Sequence, residues 1–142
     1  MTVRHILAQK GGDVVTIPPH RTLGEAARLL AERRIGAVVV AGATGEVVGI
    51  LSERDIVRAV AKGPEALDAP ASAHMTAKVI TCSPDTPVTD LMEEMTQGRF
   101  RHLPVVVGGR LEGIVSIGDV VKHRLAEIER ETEAMREYIA TA

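Results

Sequence analysis

The sequence predicts an α/β protein built from two copies of one β-α-β-β-α unit, which together form a single pseudo-symmetric body. The pattern G-h-h-S-x-x-D-h-h, in which h is an apolar residue, occurs at residues 49–57 and again at residues 113–121. Two strand-like segments upstream also recur, namely V-V-T-I-P at 14–18 with V-I-T-C-S-P at 79–84, and I-G-A-V-V-V at 35–40 with H-L-P-V-V-V at 102–107. Because self-similarity at a nearly fixed period is typical of duplicated structural units, we interpret the chain as a tandem repeat.

The first two elements of each copy are a short strand and an amphipathic helix. β-Branched residues are concentrated at residues 14–17 and 79–82, and a proline lies close to the end of each run, as is typical of strands. A helix is predicted next, because apolar residues recur three or four positions apart after the predicted N-caps Thr22 and Thr86. These apolar residues are Leu23, Ala26, Ala27 and Leu30 in the first copy and Val88, Leu91, Met92 and Met95 in the second.

A β-hairpin and a second helix complete each unit. The hairpin strands are predicted at residues 37–40 and 47–51 in the first copy and at residues 105–107 and 111–115 in the second, with glycine-containing turns between them. The second helix begins after Ser52 or Ser116. Residues 62–72, which are rich in alanine, proline and glycine, are predicted to link the copies. These boundaries place the first repeat at residues 8–64 and the second at residues 72–128.

The C-terminal segment, residues 129–142, is predicted to form an extra helix. From Val121 onward, apolar residues recur at steps of three or four, with Thr132 interrupting the series. They are Leu125, Ile128, Met135 and Ile139. This stripe is heptad-like but too short to form a stable helix alone. It either packs against its own domain or forms part of a dimer seam, and the sequence leaves both interpretations open.

The composition argues against several classes of function. The 142 residues have a formal net charge of −2, one Phe, one Tyr and no Trp, whereas proteins that bind single-stranded nucleic acid use a basic groove and aromatic stacking platforms. Cys82 is the only cysteine, which excludes an intrachain disulfide and a cysteine-based metal cage. No apolar run is long enough to span a membrane, and the N-terminus lacks the apolar core of a signal peptide. We therefore expect a cytoplasmic protein with an aliphatic core and no nucleic-acid or membrane partner.

The repeated Ser-x-x-Asp motif has two interpretations. Ser52 with Asp55, and Ser116 with Asp119, each stand where a buried strand meets a helix, so each pair has the spacing of a capping box. Alternatively, the helix N-terminus is a site for anions, and the carboxylate accepts hydrogen bonds from paired hydroxyl groups such as those of ribose. An acid beside a phosphate-receptive turn is the chemistry of nucleotide recognition.

Other kinds of site lack a sequence signal. The five histidines do not have metal-ligand spacing. Neither Ser52 nor Ser116 lies in a G-x-S-x-G nucleophile elbow, and Cys82 is interpreted as a small buried thiol. We therefore expect no metal, no catalytic residues and no catalytic cofactor, and hence no enzyme.

The duplicated G-h-h-S-x-x-D motif, with its preceding strands, resembles a pair of CBS domains over roughly residues 8 to 128. The resemblance is strongest to the small stand-alone bacterial proteins that consist of one such pair. It implies that the two repeats form one module with two clefts related by a pseudo-twofold axis. It also implies that the clefts hold an adenosyl ligand such as AMP, ATP or NAD.

The resemblance assigns residues from both repeats to each cleft. In the Asp55 cleft, Ser52, Arg54 and Asp55 would face Ile80, Thr81, His102, Leu103 and Pro104 of the second repeat. In the Asp119 cleft, Ser116 and Asp119 would face Thr16, Ile17, Gly36, Ala37 and Val38 of the first. The aspartate would bind ribose hydroxyls, the threonine and nearby backbone would bind the adenine edge, and apolar residues would sandwich the ring.

The two expected clefts differ in charge. Arg54, Arg99, Arg101 and His102 are expected beside the Asp55 cleft, and such cations suit phosphate. The second motif has Gly118 in place of Arg54, so the Asp119 cleft is expected to bind phosphate more weakly unless Arg34 or Lys122 contributes. The alternative is that these arginines form only a solvated face.

The function that the resemblance implies is regulatory: occupancy by a nucleotide changes the packing of the repeats, and a protein target or a homodimer interface responds. Such a response requires different affinities of the ligand for two states. Two alternatives remain, a dimerisation or interaction module whose clefts have no physiological ligand, and an accessory subunit of an enzyme of nucleotide metabolism.

Overall fold

The computed structural model describes residues 1–98 and 100–141. Its helices are α1 (Val3–Lys10), α2 (Leu23–Arg33), α3 (Glu53–Lys62), α4 (Val88–Gly98) and α5 (Ile117–Thr141), and its strands are β1 (Thr16–Ile17), β2 (Ala37–Ala41), β3 (Val47–Ser52), β4 (His102–Val107) and β5 (Arg110–Ser116). Two short 3₁₀ helices, Pro64–Asp68 and Ala71–Ala73, lie between the repeats. The predicted α/β fold with two similar repeats is confirmed, and the β-α-β-β-α order is complete in the first repeat.

Each repeat contains an antiparallel hairpin, and counted from the motif serine the register matches Ala37 with His102, not with Pro104 as the match of residues 35–40 with residues 102–107 suggested. Ala37 pairs with Ser52 in the first hairpin, and His102 pairs with Ser116 in the second. The first hairpin gains a parallel neighbour, because β1 pairs with β2. In the second repeat the strand expected at residues 79–82 is reduced to one bridge, in which Cys82 supplies both hydrogen bonds to β4. The hairpin register places both Ser-x-x-Asp motifs directly after the last strand of their repeat.

The aliphatic core consists of two clusters, one in each repeat. The first surrounds Leu23, Val38 and Leu51, and the second surrounds Leu91, Leu103 and Val115, all of them fully buried or nearly so. Both clusters join the inner face of a hairpin to its helices. Burial of each such leucine stabilises the fold by about 1.5–3 kcal/mol.

The segments that precede the two repeats are exchanged between them. α1 comes before the first repeat but packs on the second, where Val3 and Ile6 are buried in the second cluster and Thr2 bridges Pro87. The 3₁₀ helix Ala71–Ala73, with Pro70 before it, lies at the start of the second repeat but packs on the first. Ala71 is buried there and Pro70 bridges Thr22. Each repeat is therefore closed by the segment that precedes the other.

The glycine that opens each G-h-h-S-x-x-D motif provides room for this exchange. A Cβ atom at Gly113 would lie 2.8 Å from Cδ2 of Leu7 in α1. A Cβ atom at Gly49 would collide with Met75 and would lie 3.0 Å from the carbonyl oxygen of Thr76. Both positions thus permit the close approach of the exchanged segment, which a larger side chain would obstruct.

The C-terminal segment continues the helix that begins after Ser116, so α5 is one helix of 25 residues. Val120 and His123 are buried against the second repeat, whereas the described residues after Ile128 are exposed. No helix of the described residues is long and apolar enough to cross a bilayer.

Candidate functional site

Both Ser-x-x-Asp motifs form capping boxes at the start of a helix. In the first, Asp55 N–H donates to Ser52 Oγ at 3.3 Å, and Ser52 N–H donates to Asp55 Oδ2 at 2.9 Å. In the second, the equivalent distances between Ser116 and Asp119 are 3.1 and 2.9 Å. The capping interpretation is thereby confirmed. Each capping hydrogen bond to a carboxylate uses Oδ2, so capping and the binding of ligand hydroxyls need not compete for one oxygen.

A lysine that the sequence analysis missed reaches the second motif. Lys10, the last residue of α1, donates from Nζ to Asp119 Oδ2 at 2.5 Å and to the carbonyl oxygen of Ile114 at 2.7 Å. Both side chains are partly buried, with 31% of Lys10 and 24% of Asp119 exposed. The sequence had instead suggested Arg34 or Lys122 as the cation that contributes to phosphate binding in this cleft. No local sequence motif links Lys10 to Asp119, because the two residues are 109 positions apart.

The environment of Asp119 favours its charged form. Partial burial raises the pKa of the carboxyl group. The hydrogen bond and positive charge of Lys10, with the hydrogen bonds from Ser116, outweigh burial and hold the pKa below its ordinary value. Asp119 is therefore an anionic hydrogen-bond acceptor at neutral pH.

His102 lies where the two repeats meet. A Cβ atom at Gly36 would be 3.3 Å from His102 Nε2 and 3.2 Å from Glu53 Oε1. Gly36 was expected in the Asp119 cleft and His102 in the Asp55 cleft, so the structure brings together one residue from each.

Burial is the main reason why the pKa of His102 lies below its ordinary value. The positive charges of Lys10 and Arg101 lower it further, whereas the carboxylates of Asp119 and Glu53 oppose the change. His102 is accordingly neutral at pH 7, and it is electrostatically coupled to the Lys10–Asp119 pair.

The remaining site residues fall into three groups. Ala37, Val38, Leu103 and Pro104 are buried in β2 and β4; Thr16 is exposed and Ile17 buried in β1; Ile80, Thr81, Arg54 and Arg101 are exposed. The two repeats share an equivalent backbone hydrogen bond near these residues. Glu53 N–H donates to Gly36 O in the first repeat, and Ile117 N–H donates to Arg101 O in the second. Arg99 lies outside the described residues.

Two open depressions flank Thr16. One, of about 390 Å³, lies between β1 and α2 and includes Arg21 and Arg28. The other, of about 420 Å³, lies between the segment from Gly12 to Thr16 and the turns of the two hairpins. Neither lining includes Asp55 or Asp119, so Thr16 and Ile17 share a depression with each other but not with the aspartate expected beside them.

Residues suited to catalysis are few in the site. Burial raises the pKa of the Cys82 thiol to about 11, so the reactive thiolate is scarce at neutral pH. Within residues 1–98 and 100–141, no three His, Cys, Asp or Glu side chains cluster in a way that could hold a metal ion.

Comparison with known proteins identifies the two repeats. The family model described as "CBS domain" matches residues 3–62 and residues 71–126. An uncharacterized 17.7 kDa protein of Acidianus ambivalens is 40% identical over 110 residues, which are 77% of this chain and 66% of that protein. The CBS domain-containing protein CBSCBSPB5 of Arabidopsis thaliana is 34% identical over 84% of this chain, which spans only 22% of the plant protein.

Solved structures have the same fold. The CBS-domain containing protein ATU1752 from Agrobacterium tumefaciens is 51% identical, with a TM-score of 0.85, and the match covers 87% of this chain and 99% of that one. The CBS domain protein PAE2072 from Pyrobaculum aerophilum, complexed with AMP, is 32% identical, with a TM-score of 0.80 and coverage of 93% and 99%. The domain pair of MJ0100, in complex with 5-methylthioadenosine and S-adenosyl-L-methionine, is 26% identical, with a TM-score of 0.81 and coverage of 89% and 98%.

Proposed function

This chain belongs to the CBS-domain family as a pair of CBS domains, and we propose that it is a regulatory module that binds an adenine nucleotide. The observation that carries the proposal is the duplicated capping box, which presents one carboxylate at the start of α3 and one at the start of α5. The expected consequence of binding is a change in the packing of the two domains, to which a protein target or a homodimer interface responds.

The adenosyl part of the ligand is common to the complexes of the related structures. PAE2072 is complexed with AMP, and MJ0100 with 5-methylthioadenosine and S-adenosyl-L-methionine. All three compounds contain adenine and ribose, whereas only AMP contains phosphate. A carboxylate that accepts hydrogen bonds from ribose hydroxyls suits each of them. AMP, ATP and NAD are the candidates for this chain, since cations stand near both aspartates.

The charges near the two aspartates favour phosphate in different ways. Arg54, on the first turn of α3, and Arg101, before β4, are exposed, and we expect them to contact phosphate in the Asp55 cleft. In the Asp119 cleft, Lys10 supplies the positive charge that Gly118 cannot. A bound ribose would share the Asp119 carboxylate with Lys10 or displace it, and the released ammonium group would be free to bind phosphate.

The assembly that we propose is a homodimer. Val57 on α3 and Val121 on α5 occupy matching positions of the two motifs, and 67% and 51% of their surface is exposed. Exposed apolar residues that recur on two helices favour an interface between copies. Light scattering of the full chain at micromolar concentration tests the assembly, and a mass near the 15.2 kDa of one chain would contradict it.

The experiment that tests the ligand is mass spectrometry of nucleotides that co-purify with the full chain, followed by calorimetric titration of AMP, ATP and NAD. We expect at least one of them to bind with saturation, and no turnover of the bound nucleotide. Absence of binding by all three would instead support the interaction module without a physiological ligand. Turnover would contradict a purely regulatory role.

A further inference from the structure

The last part of α5 extends beyond the CBS domains. The family match ends at residue 126, whereas the helix continues to Thr141. These 15 further residues add about 22 Å of helix at 1.5 Å per residue, and the described residues from Glu129 onward are exposed. A helix of this length is marginal in water without a packing partner.

The exposed face of α5 has a regular heptad pattern. Val121, Ile128 and Met135 occupy one core position, d, and Leu125, Thr132 and Ile139 occupy the other, a. The five apolar members of this set are between 42% and 70% exposed. Val120 and His123, on the other face of the same helix, are buried in the second CBS domain. The heptad face is therefore directed away from the body of its own chain.

We propose that this face pairs with α5 of a second copy as a parallel two-stranded coiled coil. The flanking charges select the parallel direction, in which each g residue meets the e residue five positions later on the other helix. Arg124 at g then meets Glu129 of the partner subunit, and Glu131 at g meets Arg136 of the partner subunit. Both pairs are attractive, and the twofold symmetry of a homodimer repeats each one.

The antiparallel alternative brings like charges together. In its register of greatest overlap, Leu125 packs against Met135 of the partner subunit, and the flanking contacts are between g and g and between e and e. Glu131 then faces Glu131 of the partner subunit, Glu129 faces Glu129 of the partner subunit, and Lys122 faces Arg136 of the partner subunit. All three contacts are repulsive, so the charge pattern disfavours this direction.

Disulfide trapping distinguishes the two directions. In a Cys82→Ser background, Met135→Cys places a thiol at a d position, which faces its own copy in a parallel pair. We expect rapid formation of a covalent dimer under mild oxidation. Glu133→Cys, which points away from the seam, is the matched control and should remain monomeric on a non-reducing gel. Cross-linking of Leu125→Cys with Met135→Cys, without self-linking of Met135→Cys, would overturn the parallel arrangement.

A charge swap provides a second test that preserves the fold. Glu131→Arg or Arg136→Glu replaces two attractive pairs by two repulsive ones, and we expect sedimentation to show about tenfold weaker self-association for each single variant. The double variant restores the attraction and should recover the original association. If it stays as weak as the single variants, the parallel pairing is wrong.

The inference rests on the homodimer in the proposed function but not on its ligand. Titration of AMP into the same variants keeps the two apart. If the charge-swap variants lose self-association but bind AMP as the unmodified chain does, the result bears on the coiled coil only. If no variant binds AMP and the unmodified chain does not either, the result contradicts the proposed ligand and leaves the coiled coil unaffected.

Discussion

The ammonium group of Lys10 lies 2.5 Å from Oδ2 of Asp119, although the two residues are 109 positions apart in the chain. The same group donates to the carbonyl oxygen of Ile114. α1 is therefore fixed to the second CBS domain by its last residue as well as by its buried Val3 and Ile6. This contact also places a positive charge beside the carboxylate that we propose to hold ribose.

Replacement of Lys10 tests its role in ligand binding. We expect Lys10→Met to weaken AMP binding in the Asp119 cleft by about tenfold, the effect of losing roughly 1.4 kcal/mol of charge-assisted contact. Adenosine, which lacks phosphate, should bind the variant at least as well as the unmodified chain, since its ribose no longer competes with an ammonium group. Calorimetry with both ligands provides the measurement, and Lys62→Met, at the end of α3, is the control. Equal weakening of AMP and adenosine would assign Lys10 a structural role only.

The burial of His102 predicts a loss of stability in weak acid. The ordinary pKa of histidine is about 6.5, and that of His102 is lower in the folded chain. Between the two values the unfolded chain binds more protons, so this contribution to stability is complete above about pH 6.5 and is lost as the pH falls from there to the lower pKa of the folded state. Denaturant unfolding between pH 7.5 and 5 should show a shallower pH dependence for His102→Gln than for the unmodified chain. Equal pH dependence in the two proteins would contradict this role for His102.

The sequence was sufficient to predict the repeat architecture. Periodicity places α2 to α5 correctly, whereas α1 was not predicted. The motif at Gly49 and Gly113 locates both hairpins and both capping boxes, because these features depend on local patterns. The prediction is least accurate for the strand at residues 79–82, where only Cys82 makes the sheet hydrogen bonds. A β-branched run predicts the tendency to extend, but tertiary context decides how many residues pair.

The exchange of α1 and the 3₁₀ segment between domains was not predictable from local patterns. Burial of Val3 depends on the surface of a domain more than 80 positions away, and the linear spacing of repeats carries no information on which domain a preceding segment covers. For the same reason Lys10 was missed at Asp119. Gly49 and Gly113 were the sequence features that could have indicated the exchange, since each permits the close approach of another segment.

The two aspartates should show separable roles in capping and in binding. We expect Asp55→Ala to weaken adenosyl-ligand binding by about 1–3 kcal/mol through loss of a buried hydrogen-bonding partner and to lower stability by about 1 kcal/mol through loss of the cap. Asp55→Asn retains an oxygen for the cap, so it should keep most of the stability while losing affinity. At Asp119 both substitutions also remove the ion pair with Lys10, so there we expect Asn as well as Ala to lower both affinity and stability. Thermal unfolding and calorimetry on each variant provide the two measurements, and unchanged affinity in Asp55→Ala would leave capping as its only role.

The arginines near Asp55 should make binding in that cleft depend on phosphate. Arg54 and Arg101 are exposed, and charge-assisted contacts from such residues to phosphate are strong but weaken with added salt. AMP should therefore bind the Asp55 cleft much more tightly than adenosine, and the difference should shrink in Arg54→Ala and in Arg101→Ala. Titrations in an Asp119→Ala background isolate this cleft, and Arg130→Ala, on the exposed tail of α5, is the control. Equal affinities for AMP and adenosine, or unchanged affinities in both arginine variants, would mean that these side chains form only a solvated face.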